Sequence, residues 1–149
     1  MTAAGPPSGP SRYLTFRAAG ERFGIPVERV RGAHRPKRIA PLPGAPPAYA
    51  GVVLIKGEAL GVIDARRALV PGGAEGPVPA SVAIRPVLLL FSGDSRALLV
   101  DRVDEIEEVS GAGVTVPAGL GRHVVGIVER DGRRLSLVDL DGLLGGGCS

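Results

Sequence analysis

Short apolar runs, separated by glycine, proline and charged residues, recur along the whole chain. Runs of this length that are bounded by turn residues are typical of β-strands. The pattern predicts a first strand at residues 13–17, a tight turn at residues 18–21 and a second strand at residues 23–27. Gly20 supplies the positive φ that the turn needs. We therefore expect an all-β protein with only short helical turns.

The chain also contains an internal repeat, because residues 51–69 align with residues 126–144 without a gap. The offset is 75, and it also relates residues 14–16 to residues 89–91. Between these blocks, residues 27–30 match residues 100–103 at an offset of 73. The smaller offset indicates a turn that is two residues shorter in the second copy. Each copy therefore predicts a strand, a turn, a strand, a longer connection, and a hairpin followed by a helical turn.

The repeat predicts how the chain is divided. We expect a flexible leader at residues 1–12, a first barrel at about residues 13–70, a linker at about residues 71–81, a second barrel at about residues 82–144 and a tail at residues 145–149. Glycine and proline crowd the linker, as they do in connecting segments. Four further prolines at residues 39–49 exclude a helix there and predict a rigid extended segment, called the proline strap below.

Glycines and aspartates at equivalent positions of the two copies are predicted to have structural roles in turns and helix caps. The later hairpins turn at residues 56–58 and 131–133, where the glycines suit a tight turn. Asp64 and Asp139 each follow an apolar strand and precede a helical run, so each is placed to cap that helix. An aspartic-protease dyad is the alternative, but neither aspartate precedes the Thr-Gly or Ser-Gly of such a site. The structural set is Gly51, Gly57, Asp64, Gly126, Gly132 and Asp139.

Charge is unevenly distributed although the net charge is only +3. Residues 1–74 carry 11 basic and 4 acidic side chains, whereas residues 75–149 carry 7 and 11. The densest basic stretch lies at residues 29–38 and the densest acidic stretch at residues 101–108. Two solvated faces that keep the protein soluble explain this pattern, and so does a docking surface for a charged partner.

The sequence lacks the motifs of catalysis and of cofactor or metal binding. His34 and His123 have no neighbouring ligands for a metal, and no phosphate-binding loop or nucleophile elbow is present. The single cysteine, Cys148, excludes an intrachain disulfide and fits a reducing cytoplasm. No apolar run reaches the roughly 18 residues of a membrane helix. A basic β-barrel that binds nucleic acid is an alternative, although few aromatic side chains exist to stack on bases.

The chain resembles the CheW-like domain of bacterial chemotaxis coupling proteins from residue 13 to residue 144. The stretches that carry the resemblance are Tyr13-Leu14-Thr15-Phe16, Phe23 to Val30, Arg38-Ile39-Ala40-Pro41-Leu42-Pro43, Ala45-Pro46-Pro47, Gly51 to Gly57, Leu60 to Asp64, Leu98 to Val103, Gly126-Ile127 and Leu137 to Leu140. Singly these motifs are weak, but their order and spacing are specific. The resemblance implies two five-stranded SH3-like barrels around a shared hydrophobic seam.

The resemblance further implies a non-catalytic, cofactor-free cytoplasmic adaptor. Such an adaptor joins the cytoplasmic tip of a chemoreceptor to the regulatory domain of a CheA-type histidine kinase, without entering the membrane or binding nucleic acid. In the family the kinase contact lies mainly on the first barrel, and the receptor helix packs where the barrels meet. Carried over to this chain, the partner-binding set is Val30, Arg31, Gly32, Ile39, Leu54, Ile55 and Lys56.

Several of these positions depart from the family pattern. The usual acid shortly after Val30 is absent, and the usual asparagine and arginine of the central hairpin are Leu54 and Lys56. Lysine does not reproduce the bidentate fork of arginine. These departures indicate a partner more acidic than usual, or a partner other than a standard receptor tip. A weakly coupled paralogue and a scaffold of another chemosensory-like system, for surface motility or development, remain alternatives.

Overall fold

The computed structural model describes residues 11–36, 38–70, 86–116 and 123–146. The strands in these ranges are β1 (Ser11–Ala18), β2 (Glu21–Pro26), β3 (Val30–His34), β4 (Tyr49–Ile55), β5 (Glu58–Asp64), β6 (Val87–Phe91), β7 (Arg96–Val100), β8 (Arg102–Val109), β9 (Val114–Thr115), β10 (Val124–Arg130) and β11 (Arg133–Val138). The helices are α1 (Ala65–Leu69) and α2 (Leu140–Gly146), and single 3₁₀ turns occupy Val27–Arg29 and Gly111–Gly113. The predicted all-β fold with short helical turns is confirmed.

Three hairpins close through two-residue turns at the positions that the sequence predicted. Both central residues of each turn have a positive φ, which defines the type I′ turn whose twist matches that of the strands. The angles are 53° and 82° at Ala19-Gly20, 50° and 81° at Lys56-Gly57, and 54° and 74° at Asp131-Gly132. Glycine adopts the second of these conformations without strain.

The strands form two sheets. A six-stranded sheet has the order β8-β1-β2-β11-β10-β9, and a five-stranded sheet has the order β3-β6-β7-β5-β4. One parallel pair joins the two hairpins in each sheet, β11 with β2 and β5 with β7. The other neighbours are antiparallel. This arrangement agrees with the predicted pair of packed SH3-like barrels.

Each sheet takes strands from both copies of the repeat. The first hairpin of copy one, β1-β2, lies between β8 and β11 of copy two, and the β6-β7 hairpin of copy two lies between β3 and β5 of copy one. The sheets therefore do not follow the predicted division at residues 13–70 and 82–144, because the first hairpin of each copy is exchanged. The alignment of the copies does not reveal the exchange, since an exchanged hairpin meets equivalent partner strands.

The two sheets repeat each other down to their irregularities. In the β4-β5 pair the register shifts between Tyr49 and Gly51, and in the β10-β11 pair it shifts between Val124 and Gly126, 75 residues later. An isolated bridge joins Ala40 of the proline strap to Val52, and its counterpart is the pairing of Thr115 with Ile127. The strap therefore takes the place of a sixth strand beside β4.

Gly51 and Gly126 share a reason for being glycine. Gly51 has a φ of 148°, and a Cβ on it would collide with the carbonyl oxygen of Ala40. A Cβ on Gly126 would lie 2.5 Å from Cγ1 of Val114. At both positions the absent side chain lets the neighbouring segment approach the sheet closely.

The helical turns begin where the sequence placed their caps. Oδ1 of Asp64 accepts a hydrogen bond from the amide of Arg66 at 3.0 Å, and Oδ1 of Asp139 accepts one from the amide of Gly142 at 3.0 Å. Each carboxylate therefore serves its own helix by satisfying a backbone donor of the first turn.

Most of the hydrophobic core lies at a seam between the sheets. Buried side chains from both copies meet there, including those of α1 and α2, and the rings of Phe16 and Phe23 stack with centroids 5.7 Å apart. Two smaller clusters fill the five-stranded and the six-stranded sheet separately. The seam contains side chains from strands of both sheets, including the exchanged hairpins. The exchanged hairpins therefore bury apolar surface at the seam, which stabilises the fold.

Candidate partner-binding groove

A groove of about 740 Å³ lies beside the five-stranded sheet, between the end of β3, the proline strap and β4. We call it the basic groove. Its described lining residues are His34, Arg35, Arg38, Ala40, Val52, Val53, Leu54, Ile55 and Lys56. The groove is thus lined both by the basic stretch of the sequence and by the β4-β5 hairpin.

Local structure explains why β4 lines the groove. The amide of Ala40 donates to the carbonyl of Val52 at 2.9 Å, and the amide of Val52 donates to the carbonyl of Ala40 at 2.8 Å, which holds the strap against β4. Because side chains alternate along a strand, Val53 is buried while Leu54 points outward with 71% of its surface exposed. Lys56 follows at the type I′ turn and is also exposed.

The groove has an apolar centre and a cationic rim. Arg35, Arg38 and Lys56 are exposed around it, and His34 is half-buried. Among the lining residues that the structure describes, none is acidic. Lys37, which belongs to the same basic stretch, lies outside the described residues.

Arg31 is not a lining residue, although it was predicted with this surface. Its Nη2 donates to Oε1 of Glu58 at 3.1 Å, and its Nε donates to the carbonyl of Phe91 at 3.2 Å. The side chains of Arg31 and Glu58 are 39% and 51% exposed. Arg31 therefore connects β3 to the start of β5 beside the groove, and its charge is matched within the chain.

The structure brings together only some of the predicted binding residues. Leu54, Ile55 and Lys56 lie together in the basic groove. Val30 packs against the seam cluster, and Ile39 packs against the core of the five-stranded sheet. Gly32 lies in β3, two residues before His34. The lining residues that were not predicted as site residues include His34, Arg35, Arg38 and Val52, although the first three fall inside the basic stretch of the sequence.

The six-stranded sheet has a cleft of about 370 Å³ at the equivalent place, called the mixed-charge cleft below. The repeat relates His34 to Glu107, Arg35 to Glu108 and Lys56 to Asp131. The cleft is lined by Arg22, Glu105, Glu107, Glu108, Arg130, Asp131 and Arg133. The predicted acidic stretch therefore occupies β8, the counterpart of the basic strand β3.

The lining of the mixed-charge cleft carries both signs of charge, with three arginines and four carboxylates. The guanidinium of Arg22 forms an ion pair with the carboxylate of Glu107, and both side chains are mostly buried. Nη2 of Arg130 donates to the carbonyl oxygen of Glu108 at 3.3 Å. The two grooves therefore share a position in the fold and differ in chemistry.

The pKa values of two carboxylates, the buried Asp64 and the half-buried Asp104, shift in opposite directions. Burial raises the pKa of Asp64, and this effect exceeds the opposing effects of the Arg66 amide and of the Arg67 and Arg66 charges. Burial also raises the pKa of Asp104, but the hydrogen bonds and charges of Arg102 and Arg17 outweigh it and hold that pKa below its ordinary value. Neither carboxylate lines the basic groove.

Within the described residues no group of three or more His, Cys, Asp and Glu side chains is placed to hold a metal ion. In the same part of the chain, no helix is long and apolar enough to cross a membrane.

Comparison with known proteins places the chain in a family. The model of the CheW-like domain matches residues 12–147. A curated relative, Chemotaxis protein CheW of Rhizobium meliloti (strain 1021), is 27% identical over 141 residues, which cover 90% of this chain and 87% of the relative. The crystal structure of the scaffolding protein TtCheW from Thermoanaerobacter tengcongensis matches with a TM-score of 0.73 at 21% identity, covering 90% of this chain and 92% of that one. The resemblance seen in the sequence is confirmed, and the chain belongs to the CheW-like domain family.

Proposed function

We propose that this protein is a cytoplasmic adaptor that couples the tip of a chemoreceptor to the regulatory domain of a CheA-type histidine kinase. As a member of the CheW-like domain family it is a non-catalytic scaffold. The observation that carries the proposal is the basic groove, because an exposed leucine and a cationic rim converge on a face that the core does not need. An exposed apolar side chain inside a charged rim is the composition of a protein-docking surface.

In this proposal the kinase contacts the β4-β5 hairpin and the residues around it. The contact comprises Leu54, Ile55 and Lys56 of the groove together with Gly32 and Arg31 of β3. A hairpin with a rigid type I′ turn presents these side chains with little conformational entropy left to lose. Ile39 supports this surface from the core side.

The receptor helix is assigned to the seam between the sheets. Leu14, Val30, Val103 and Val124 pack against the seam cluster while remaining partly exposed. Half-buried apolar side chains contributed by several strands suit the apolar face of a helix. Kinase and receptor then occupy different surfaces of one rigid body, which allows a change in the receptor to bias the kinase.

Identification of the partners is the first part of the test. The protein is used as bait in native cell lysate at low and high salt, and retained proteins are identified by mass spectrometry. We expect a CheA-type kinase and a chemoreceptor, with stronger loss at high salt of the partner that uses the basic groove.

Reconstitution is the decisive part. The identified kinase, the cytoplasmic fragment of the receptor and this protein are mixed, and kinase autophosphorylation is measured with and without the adaptor. We expect receptor control of the kinase only when the adaptor is present. Retention of nucleic acid in place of both proteins, or a kinase rate that does not respond to the adaptor, would refute the proposed function.

A further inference from the structure

The two grooves reveal which of their residues the fold itself requires. Strand pairings, bulges and turns are repeated at both places, so the backbone demands the same of each copy. Leu54, Ile55 and Lys56 of copy one nevertheless correspond to Glu129, Arg130 and Asp131 of copy two. The apolar and cationic character of the basic groove is therefore not needed to build a sheet of this kind.

Charge compensation also differs between the two places. In the mixed-charge cleft, Arg22 pairs with Glu107 inside the chain. The described lining of the basic groove includes no carboxylate, and the nearby carboxylate of Glu58 is already engaged by Arg31 at 3.1 Å. Arg38 and Lys56 are exposed on the rim of an apolar surface, where an incoming carboxylate meets positive charge that no described lining residue opposes.

Leu54 determines which kind of partner group can fill the groove. It is 71% exposed and follows the buried Val53, so its side chain points outward beside the cationic lining residues. A charged partner alone would leave this apolar surface in water, which the hydrophobic effect disfavours. The occupant must therefore cover Leu54 with an apolar group while it places acidic groups beside Arg38 and Lys56.

We propose that the basic groove binds an acidic surface of the kinase regulatory domain, on which an aliphatic side chain is flanked by carboxylates. This inference rests on the proposed function and adds the sign of the charge and the apolar anchor on the partner. The aliphatic side chain packs on Leu54 and Val52, and the carboxylates pair with Lys56 and Arg38. The resulting affinity falls as ionic strength rises, because the pairs lie at an exposed rim.

The test measures the dissociation constant for the purified kinase regulatory domain across a series of NaCl concentrations, by calorimetry. We expect Lys56→Glu to weaken binding roughly tenfold and to flatten the salt dependence, since it replaces an attraction by a repulsion. Arg38→Glu acts in the same direction, and Lys56→Arg retains the affinity. Leu54→Ala weakens binding by a similar, roughly tenfold factor but leaves the slope against salt unchanged.

A matched control comes from the second copy. Asp131→Lys reverses a charge at the equivalent turn position, where φ is 54° against 50° at Lys56, so it reproduces the change in turn chemistry away from the groove. We expect its affinity for the kinase and its salt dependence to match those of the unaltered protein. Melting temperatures of all variants establish that each is folded. A carboxylate of the kinase changed to lysine is expected to recover binding by Lys56→Glu.

The outcomes separate the two proposals. If the unaltered protein binds the kinase while Lys56→Glu and Arg38→Glu bind equally well, the acidic partner surface is refuted and the adaptor function stands. An affinity that rises with salt refutes the acidic partner surface in the same way. If the unaltered protein does not bind the kinase domain at any salt concentration, the proposed function fails and this inference fails with it.

Discussion

At the scale of single residues, Gly51 is the described glycine where an added side chain would be most crowded. Its φ is 148°, and a Cβ would meet the carbonyl oxygen of Ala40, which also accepts the amide of Val52 at 2.8 Å. Because backbone cannot move aside as a flexible side chain can, Gly51→Ala is expected to lower the free energy of unfolding by about 3 kcal/mol or more. Denaturant unfolding measures this loss.

Gly57 provides the control for Gly51→Ala. It also has a positive φ, 81°, but no atom lies within 4 Å of the place where its Cβ would be. Gly57→Ala therefore introduces only conformational strain and is expected to cost about 1 kcal/mol. Equal losses for the two variants would show that the approach of the proline strap to β4 does not restrict residue 51.

At the scale of elements, an ion pair between Arg66 and Asp101 connects α1 to the second copy of the repeat. Nε of Arg66 lies 3.3 Å from the carboxylate of Asp101, both side chains are largely buried, and the same carboxylate accepts the amide of Ala19 at 2.9 Å. Arg66→Met leaves a poorly solvated carboxylate without its cation. We expect a loss of about 2–3 kcal/mol in the free energy of unfolding, measured by denaturant titration.

Helix α2 offers the matched comparison, because its Asp141 is the repeat counterpart of Arg66. Asp141 pairs with Arg29 at 2.9 Å, with side chains that are 40% and 35% exposed. An exposed pair contributes at most about 1 kcal/mol, so Arg29→Met is expected to cost less than that. A loss as large as that of Arg66→Met would contradict the role we give to burial.

Asp104 links two elements through charge and makes stability depend on pH. Burial raises its pKa, but the hydrogen bonds from Arg102 and Arg17, 2.8 Å and 3.0 Å long, lower it more. Since the pKa in the folded protein lies below the ordinary value of 3.8, the stabilisation is present above that pH and is lost as the pH falls through the folded value.

The pH dependence is tested with Asp104→Asn. We expect the variant to be less stable than the unaltered protein at pH 7, and the difference to shrink as the pH falls below about 4. Unfolding at a series of pH values measures it. Asp64, whose pKa is raised chiefly by burial, contributes with the opposite sign and is present in both proteins, so it cancels in the comparison. A difference independent of pH would show that Asp104 acts through packing alone.

Elements were easier to predict than the site. Short apolar runs and turn glycines predict strands and hairpins because these signals act within a few residues, and the turns at Gly20, Gly57 and Gly132 lie where they were expected. The groove depends on residues that are distant in sequence. Leu54 and Lys56 were named from a family resemblance, whereas Arg38 joins them only because the strap bonds to Val52. Nothing in the sequence alone indicated that Arg31 pairs with Glu58.

At the scale of the whole molecule, the repeat predicted two equivalent sheets but not which strands they share. The alignment relates the strands of one copy to those of the other, but it does not say which sheet the first hairpin of each copy joins. The structure places the parallel pairs β2-β11 and β5-β7 between copies. Both sheets, and the seam between them, therefore depend on the presence of both halves of the chain.

The exchange predicts how the chain behaves when it is cut. Fragments 1–75 and 76–149 each lack the partners of one hairpin, because β1-β2 lies between strands of the second fragment and β6-β7 between strands of the first. We expect each fragment alone to lack a cooperative thermal transition, since its unpaired strand edges and its part of the seam stay in water. Mixed in equal amounts, the fragments are expected to co-elute as one species with the far-ultraviolet circular dichroism of the intact chain. A cooperative transition in either fragment alone would contradict the exchange, because two independent barrels at residues 13–70 and 82–144 would fold without each other.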